Sequence, residues 1–264
     1  ADLLSELTRD RRWCQGNMQN SRLMAEPGIH PVHRAMFVTG PLSSVSAPLW
    51  LAFMTLGTAL WLAGTSVPTT LTSGFFGNIP NELLGLWAWT VCMLFLPRIL
   101  AVTAVLMKGE QGQFGGTAAL LKSTCLEAVL AILLAPVRMV AHTVFVIAAI
   151  TGIKLGWQSP PRDATAVPWK MAAQRFAPMT AVVLVLGVAV AFINANALIW
   201  LLPVALPLLL AVLMAVLTSQ AKLGASLQAR TFMLIPEQPR PPAVLLRAWH
   251  PAPLPPHPQP SAPT

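Results

Sequence analysis

The chain has 264 residues, of which 55% are hydrophobic and only 10% are charged, and its mean hydropathy is +0.63. This composition excludes an ordinary soluble domain and predicts an all-α integral membrane protein. The formal charge of +8 does not indicate a nucleic-acid partner, because most Lys and Arg residues flank apolar segments, where they mark the cytoplasmic side of a membrane.

The first 35 residues are polar and precede the long apolar segments. Leu3, Leu4 and Leu7 lie at helical spacing, and a basic cluster follows them. We expect residues 1–35 to form one or two amphipathic helices that lie on the cytoplasmic face of the membrane and contact its lipids.

The long apolar region that follows, residues 36–217, is predicted to form a bundle of five or six transmembrane segments, each of about 20 residues. A tight turn is expected at Asn194-Ala195-Asn196, between the last two spans. Apart from the central segment, the predicted spans are 36–64, 83–107, 178–193 and 197–217.

The central segment, residues 117–153, allows two topologies. A single kinked helix would place the following loop, with Lys154 and Arg162, on the outer face, against the positive-inside rule. A hairpin that breaks near Pro136 would keep this loop cytoplasmic. The hairpin is the preferred prediction, and it gives six crossings with both ends of the chain in the cytoplasm.

Two segments follow the bundle. Residues 218–235 are predicted to form a cytoplasmic juxtamembrane segment. Residues 236–264 contain eleven prolines in 29 residues, a composition that cannot bury a core and predicts an extended, disordered tail.

The motif that best indicates a binding site is Arg9-Asp10-Arg11-Arg12-Trp13. Arginine binds a diphosphate through paired, charge-assisted hydrogen bonds, which suits a sugar-nucleotide donor and its leaving group. The flat indole of Trp13 matches the C–H face of a pyranose ring. The alternative is that the arginines contact anionic lipid headgroups and that Trp13 is an interfacial anchor.

Five strings along the chain extend this interpretation. They resemble, in order, the membrane half of the glucosyltransferases that build osmoregulated periplasmic glucans, a group within the processive family 2 glycosyltransferases. The resemblance runs from about residue 2 to about residue 246. The strings are R-D-R-R-W-C-Q-G-N at 9–17, H-P-V-H-R-A-M-F-V-T-G at 30–40, S-A-P-L-W at 46–50, L-L-A-P-V-R-M-V-A-H-T-V-F-V at 133–146 and F-M-L-I-P-E at 232–237.

The resemblance implies roles for the motif. The broader family carries Q-x-x-R-W, and Arg12 and Trp13 match its last two positions, while Arg9 stands where the family has Gln. We therefore expect Arg12, Trp13 and Arg9 to bind substrate: the UDP-glucose donor and the growing glucan.

The same resemblance indicates what this chain lacks. Family members use a D-x-D motif for a divalent metal, Mg²⁺ or a similar cation, and a further carboxylate as base. Asp2, Asp10 and Asp163 form no D-x-D. We expect no catalytic residue and no metal ligand here; the GT-A catalytic domain would lie upstream, and this chain alone would be inactive.

Three ionisable residues within the apolar region, Arg98, Arg138 and His142, are predicted to line a path for the glucan, because embedded charges favour a polar interior. The alternative is that the arginines snorkel to the headgroups or form structural pairs. The resemblance also implies the bacterial inner membrane as location, and acyl carrier protein and a periplasmic glucan-processing protein as partners. The alternative function is a transporter or scaffold subunit without catalysis.

Overall fold

The computed structural model describes residues 2–63, 81–153, 166–237 and 241–249. These residues are mostly helical and contain no strand, which confirms the predicted all-α fold. Short 3-10 helices lie at Ser21–Ala25, Glu110–Phe114 and Ala195–Ala197. The α-helices are α1 (Leu3–Asn20), α2 (Pro31–Leu62), α3 (Asn81–Met107), α4 (Thr117–Ile150), α5 (Trp169–Ile193), α6 (Leu198–Leu209), α7 (Ala211–Ser219), α8 (Ala221–Ala229) and α9 (Ala243–Trp249).

Several of these helices have the length and composition of membrane spans. Within the described ranges, α2, α3, α4 and α5 are each long and apolar enough to cross a bilayer. Helices α6 and α7 meet at an angle of 56°, and together they make a fifth candidate span if the bent pair counts as one. The chain is therefore a polytopic helical membrane protein, and α1 precedes its bundle as predicted.

The predicted hairpin near Pro136 is wrong. Residues Thr117–Ile150 form one continuous helix of 34 residues, with Pro136 inside it. A proline removes one backbone hydrogen bond and bends a helix, but reversing the chain also requires turn residues such as Gly or Asn, and Leu134-Ala135-Pro136-Val137 offers none. At about 1.5 Å per residue, α4 is about 50 Å long, longer than the hydrocarbon is thick.

The last two predicted spans form an antiparallel pair. The turn at Asn194 is confirmed, since α5 ends at Ile193 and the short helix Ala195–Ala197 leads into α6. The backbone N–H of Val167, just ahead of α5, donates to Ser219 Oγ at the end of α7 (2.9 Å), and Thr180 Oγ1 donates to the Leu208 carbonyl (3.1 Å). The start of α5 and the end of α7 therefore lie at the same end of this pair.

The chain divides into two compact units, residues 1–92 with 127–226, and residues 93–126 with 227–264. The first unit has a buried core to which α1, α4, α5, α6 and α7 all contribute. Helix α1 places Leu3, Leu7 and Cys14 in this core, each at most 2% exposed. The core thus joins the amphipathic helix to the apolar bundle.

In the second unit, the segment after α8 packs against the start of α4. The backbone N–H of Met233 donates to Ser123 Oγ (2.8 Å), and a Cβ built on Gly115 would lie 3.2 Å from side chains of Thr231 and Leu234. Because Gly115 also has a φ of +84°, a larger residue would be strained there.

The predicted disordered tail needs one correction, because it contains helix α9. The helix occupies a stretch without proline, and the prolines just before it, Pro241 and Pro242, are compatible with a helix start. The remainder of the tail, residues 250–264, lies outside the described residues.

Candidate functional site

Helix α1 carries the basic cluster, and its sequence explains its start. Asp2 is the N-cap: its carboxylate accepts hydrogen bonds from the Ser5 backbone N–H (2.9 Å) and the Ser5 hydroxyl (2.7 Å). Partial burial raises the pKa of Asp2, but these hydrogen bonds outweigh that effect and hold the pKa below its usual range. The cap therefore favours an ionised Asp2 and a well-formed first turn.

The two faces of α1 have different roles. Leu3, Leu7 and Cys14 point into the core, whereas Trp13 lies on the other side with 63% of its surface exposed. Arg9, one turn before Trp13, places its guanidinium 5.1 Å from the centre of the indole ring and contacts Asp10 at 3.4 Å. Arg12 is partly buried on the same helix. The structure therefore presents an exposed indole with one guanidinium, that of Arg9, against its ring.

The acidic residues of α1 hold it against α4. Arg138 donates to Glu6 Oε1 at 2.6 Å, and His142 Nε2 lies 3.4 Å from Asp10 Oδ2. The second pair lies four residues after the first on both helices, at 10 after 6 on α1 and at 142 after 138 on α4. Helix α1 and this part of α4 therefore run in parallel. These pairs fix the rotation of α1 about its own axis, and hence the direction in which Trp13 points.

The sequence predicts that Arg138 and His142 line a path for the glucan, and it does not reveal their contacts with Glu6 and Asp10. The signal was present, because acids at 6 and 10 match bases at 138 and 142 in spacing, but pairs so distant in sequence need the fold to bring them together. The path role of both residues stays a prediction. Arg98 lies in α3, where its guanidinium donates to the carbonyl of Leu94 in the same helix (3.4 Å).

Helix α1 also packs closely on α2. Asn17 Nδ2 donates to the Gly40 carbonyl (3.4 Å), and a Cβ at position 40 would lie 3.1 Å from Asn17, so the glycine permits this approach. Cys14 is buried beside Ser44. Burial raises the pKa of the Cys14 thiol, and a hydrogen bond with Ser44 opposes this only partly. The thiol is a packing group that resists ionisation.

The described residues contain no group of three or more His, Cys, Asp or Glu side chains that could hold a metal ion. His30 and His33 form an edge contact with ring centres 6.1 Å apart, which gives only two ligands. The predicted Mg²⁺ would need ligands from outside this region and stays a prediction.

Sequence similarity connects these features to known proteins. The chain is 40% identical over 252 residues to a protein of Pseudomonas syringae pv. syringae, 41% over 252 residues to one of Dickeya dadantii (strain 3937) and 39% over 257 residues to one of Nitrosomonas europaea. All three are named glucans biosynthesis glucosyltransferase H, and each alignment covers 93% of this chain. The chain is a homologue of part of glucosyltransferase H.

The similarity to glucosyltransferase H confirms the resemblance inferred from the five strings. The alignments cover 31%, 30% and 29% of these three relatives, so the chain spans about 30% of their length. No protein-family model and no solved structure matches the chain. The chain is therefore similar to one part of these proteins, and the structure supplies the local geometry of helix α1, which carries Arg12 and Trp13.

Proposed function

We propose that this chain is the carboxy-terminal membrane portion of a UDP-glucose-dependent glucosyltransferase. The enzyme would make the backbone of osmoregulated periplasmic glucans, and this portion would help to pass the backbone across the bacterial inner membrane. The observation that carries the proposal is the geometry of α1, where the core holds one face and the exposed Trp13 lies against Arg9, with Arg12 next to it in sequence. Homology to proteins named glucosyltransferase H supports the same conclusion.

In the proposed reaction, these residues bind and orient rather than transfer protons. Arg12 would stabilise the negative charge that develops on the nucleoside diphosphate as it leaves. Trp13 would stack against the acceptor sugar, and Arg9 would hold the indole from one side. The carboxylates and the Mg²⁺ that complete the reaction would belong to an upstream catalytic domain of the family 2 type, so this chain alone would not transfer glucose.

The contacts of α1 also support a topology. The core joins Leu7 of α1 to Ala172 near the start of α5 and to Ala215 near the end of α7. If α1 lies on the cytoplasmic face, both helix ends lie there too. The loop at 154–165, which carries Lys154 and Arg162, would then be cytoplasmic, as the positive-inside rule requires.

This arrangement keeps both ends of the chain cytoplasmic without the hairpin. The loop before α4 follows Lys108 and is expected in the cytoplasm as well, so α4 would begin and end on the same side. Its second half runs beside α1, which fits a helix that lies along the cytoplasmic side of the membrane. We propose four crossings, by α2, α3, α5 and the bent pair α6–α7.

The test uses the full-length enzyme in reconstituted vesicles, with labelled glucan made from UDP-glucose at equal protein levels. Arg12→Ala and Trp13→Ala should each reduce synthesis, for Arg12 by about 100-fold, because a donor aimed at developing charge is lost. The matched controls Arg22→Ala and Trp50→Ala, on exposed side chains elsewhere, should remain within twofold of wild type. Unchanged synthesis in both motif variants would instead favour a transporter or scaffold role.

The family resemblance adds two proposed partners, acyl carrier protein and a periplasmic protein that processes the glucan. Co-purification of each with the full-length enzyme from membranes tests them. Loss of synthesis after chelation, with recovery on adding Mg²⁺, tests the proposed metal requirement.

A further inference from the structure

A large apolar cavity lies in the first unit, and Trp13 is not among its lining residues. It has a volume of about 750 Å³, and its walls come from α2, α4, α5 and α6, with Leu7 closing it from α1. This volume lies within the range of about 300–1,000 Å³ that is typical of small-molecule sites. The walls are mainly Leu, Val, Met and Ala side chains.

These walls do not suit a sugar chain. Among the described lining residues there is one aromatic ring, Phe176, and there is no carboxylate, carboxamide or indole. A glucan would leave most of its hydroxyl groups without partners there, which is costly in an apolar environment. A hydrocarbon chain needs no such partners and fits this lining.

The charge in the cavity is confined to one end. On α5 the lining begins at Arg175 and continues to Val190, a distance of about 22 Å at the rise of an α-helix. Arg175 is the charged residue of the described lining. The cavity therefore has a cationic end followed by an apolar length greater than one leaflet, which is about half of the ~30 Å hydrocarbon core.

A second cation lies at that end. Arg11 of α1 is close enough to Arg175 for the two charges to repel. Burial lowers the pKa of Arg11, and the charge of Arg175 lowers it further. No ion pair given for the described residues joins a carboxylate to Arg11 or Arg175; Glu6 pairs with Arg138, and Asp10 pairs with Arg9 and His142. Neighbouring guanidinium groups without a carboxylate partner among the described residues favour the binding of an anion.

We propose that this cavity binds an anionic phospholipid. Its phosphate would lie between Arg11 and Arg175, and an acyl chain would lie along α5 toward Val190. Basic pockets between membrane helices on the cytoplasmic side are a recurrent means of binding such headgroups. This inference goes beyond the proposed glucosyltransferase role, since it concerns neither Arg12 nor Trp13, and it shares with that proposal only the cytoplasmic position of α1.

The first test compares two lipids that differ only in headgroup charge. Full-length protein is purified in detergent, and native mass spectrometry measures the retention of phosphatidylglycerol and of phosphatidylcholine with identical acyl chains. Wild type should prefer phosphatidylglycerol. The double variant Arg11→Gln with Arg175→Gln should remove this preference, because each arginine should raise the affinity for the anionic lipid by about fivefold. Arg22→Gln with Lys222→Gln removes the same charge from exposed positions outside the lining and should leave the preference intact.

The second test fills the cavity. A Cβ at Gly187, which lines the cavity, would meet nothing within 4 Å, so Gly187→Phe places a ring in the acyl site without a backbone clash. It should abolish retention of both lipids. Gly57→Phe is the matched control, because Gly57 also has open space beside it, on α2, but does not line the cavity.

Four results would overturn the proposal. One is equal retention of the two lipids by wild type, and another is equal preference in the arginine pair and its control. The third is unchanged retention in Gly187→Phe, which would mean that the bound lipid lies elsewhere on the surface. Wild-type protein that retains neither lipid would also refute it and would indicate that another part of the protein occupies the cavity. If Gly187→Phe fails to fold, the arginine comparison alone decides.

Discussion

The ion pair between Glu6 and Arg138 should determine how firmly α1 is attached, and reversing its charges tests this. The atoms are 2.6 Å apart, and the side chains are only 25% and 35% exposed. Unit charges about 4 Å apart attract by about 4 kcal/mol at an effective dielectric constant of about 20. Solvent and lost side-chain freedom reduce the net coupling to about 1–2 kcal/mol for such a partly buried pair.

Arg138→Glu replaces this attraction by a repulsion of similar size, so the attachment of α1 should weaken by about 3 kcal/mol. Hydrogen exchange of the α1 amides in the full-length protein measures the opening of this helix directly. The exchange should accelerate roughly 100-fold, since each 1.4 kcal/mol corresponds to a factor of ten. The double variant Glu6→Arg with Arg138→Glu restores opposite charges and should recover most of the protection.

The control is Glu26→Arg, which reverses the same charge on an exposed side chain beyond the end of α1. It should leave exchange in α1 unchanged. The ion pair does not determine the attachment of α1 if Arg138→Glu leaves the α1 amides as protected as in wild type, or if the double variant exchanges as fast as Arg138→Glu alone.

Two further predictions follow from the packing and topology of the chain. Cys14 is buried and its pKa is raised, so it should react slowly with N-ethylmaleimide at pH 7. The comparison is a variant that lacks Cys14 and carries Gln19→Cys at an exposed position, and Cys14 should react at least about tenfold more slowly than this cysteine. Its rate should still be rising at pH values where the exposed thiol has levelled off; equal rates and equal pH profiles would show that Cys14 is accessible. Reporter fusions or impermeant labels at 108–116 and 154–165 should place both loops in the cytoplasm, whereas an external position for 154–165 would mean that α4 crosses the membrane.

Local features of this fold could be predicted from the sequence. The leucines of α1, the turn at Asn194 and the length of the apolar segments each depend on neighbouring residues, and the structure confirms all three. The resemblance carried by the five strings is likewise local, and the relatives named glucans biosynthesis glucosyltransferase H confirm it, while the roles of Arg12 and Trp13 stay predictions.

The features that could not be predicted depend on distant parts of the chain or on a small balance of energies. The contact of Glu6 with Arg138 joins residues 132 positions apart, and no local pattern reveals which embedded arginine an acid will meet. Pro136 is compatible with either a kinked helix or a helix end, and the helix remains continuous because the residues just before Pro136 are mainly Ala and Leu, which have high helix propensity. Helix α9 was missed because its short proline-free stretch lies within a proline-rich composition.

The central claim is that α1 contributes Arg12 to a site for the nucleoside diphosphate. The most direct measurement is the affinity of the intact enzyme for UDP, by calorimetry in detergent, for wild type, Arg12→Ala and the control Arg22→Ala. The account predicts that Arg12→Ala binds UDP at least about tenfold more weakly, because a charge-assisted hydrogen bond contributes about 1.5–3 kcal/mol, and that Arg22→Ala binds it as wild type does. Equal affinity of wild type and Arg12→Ala would contradict it.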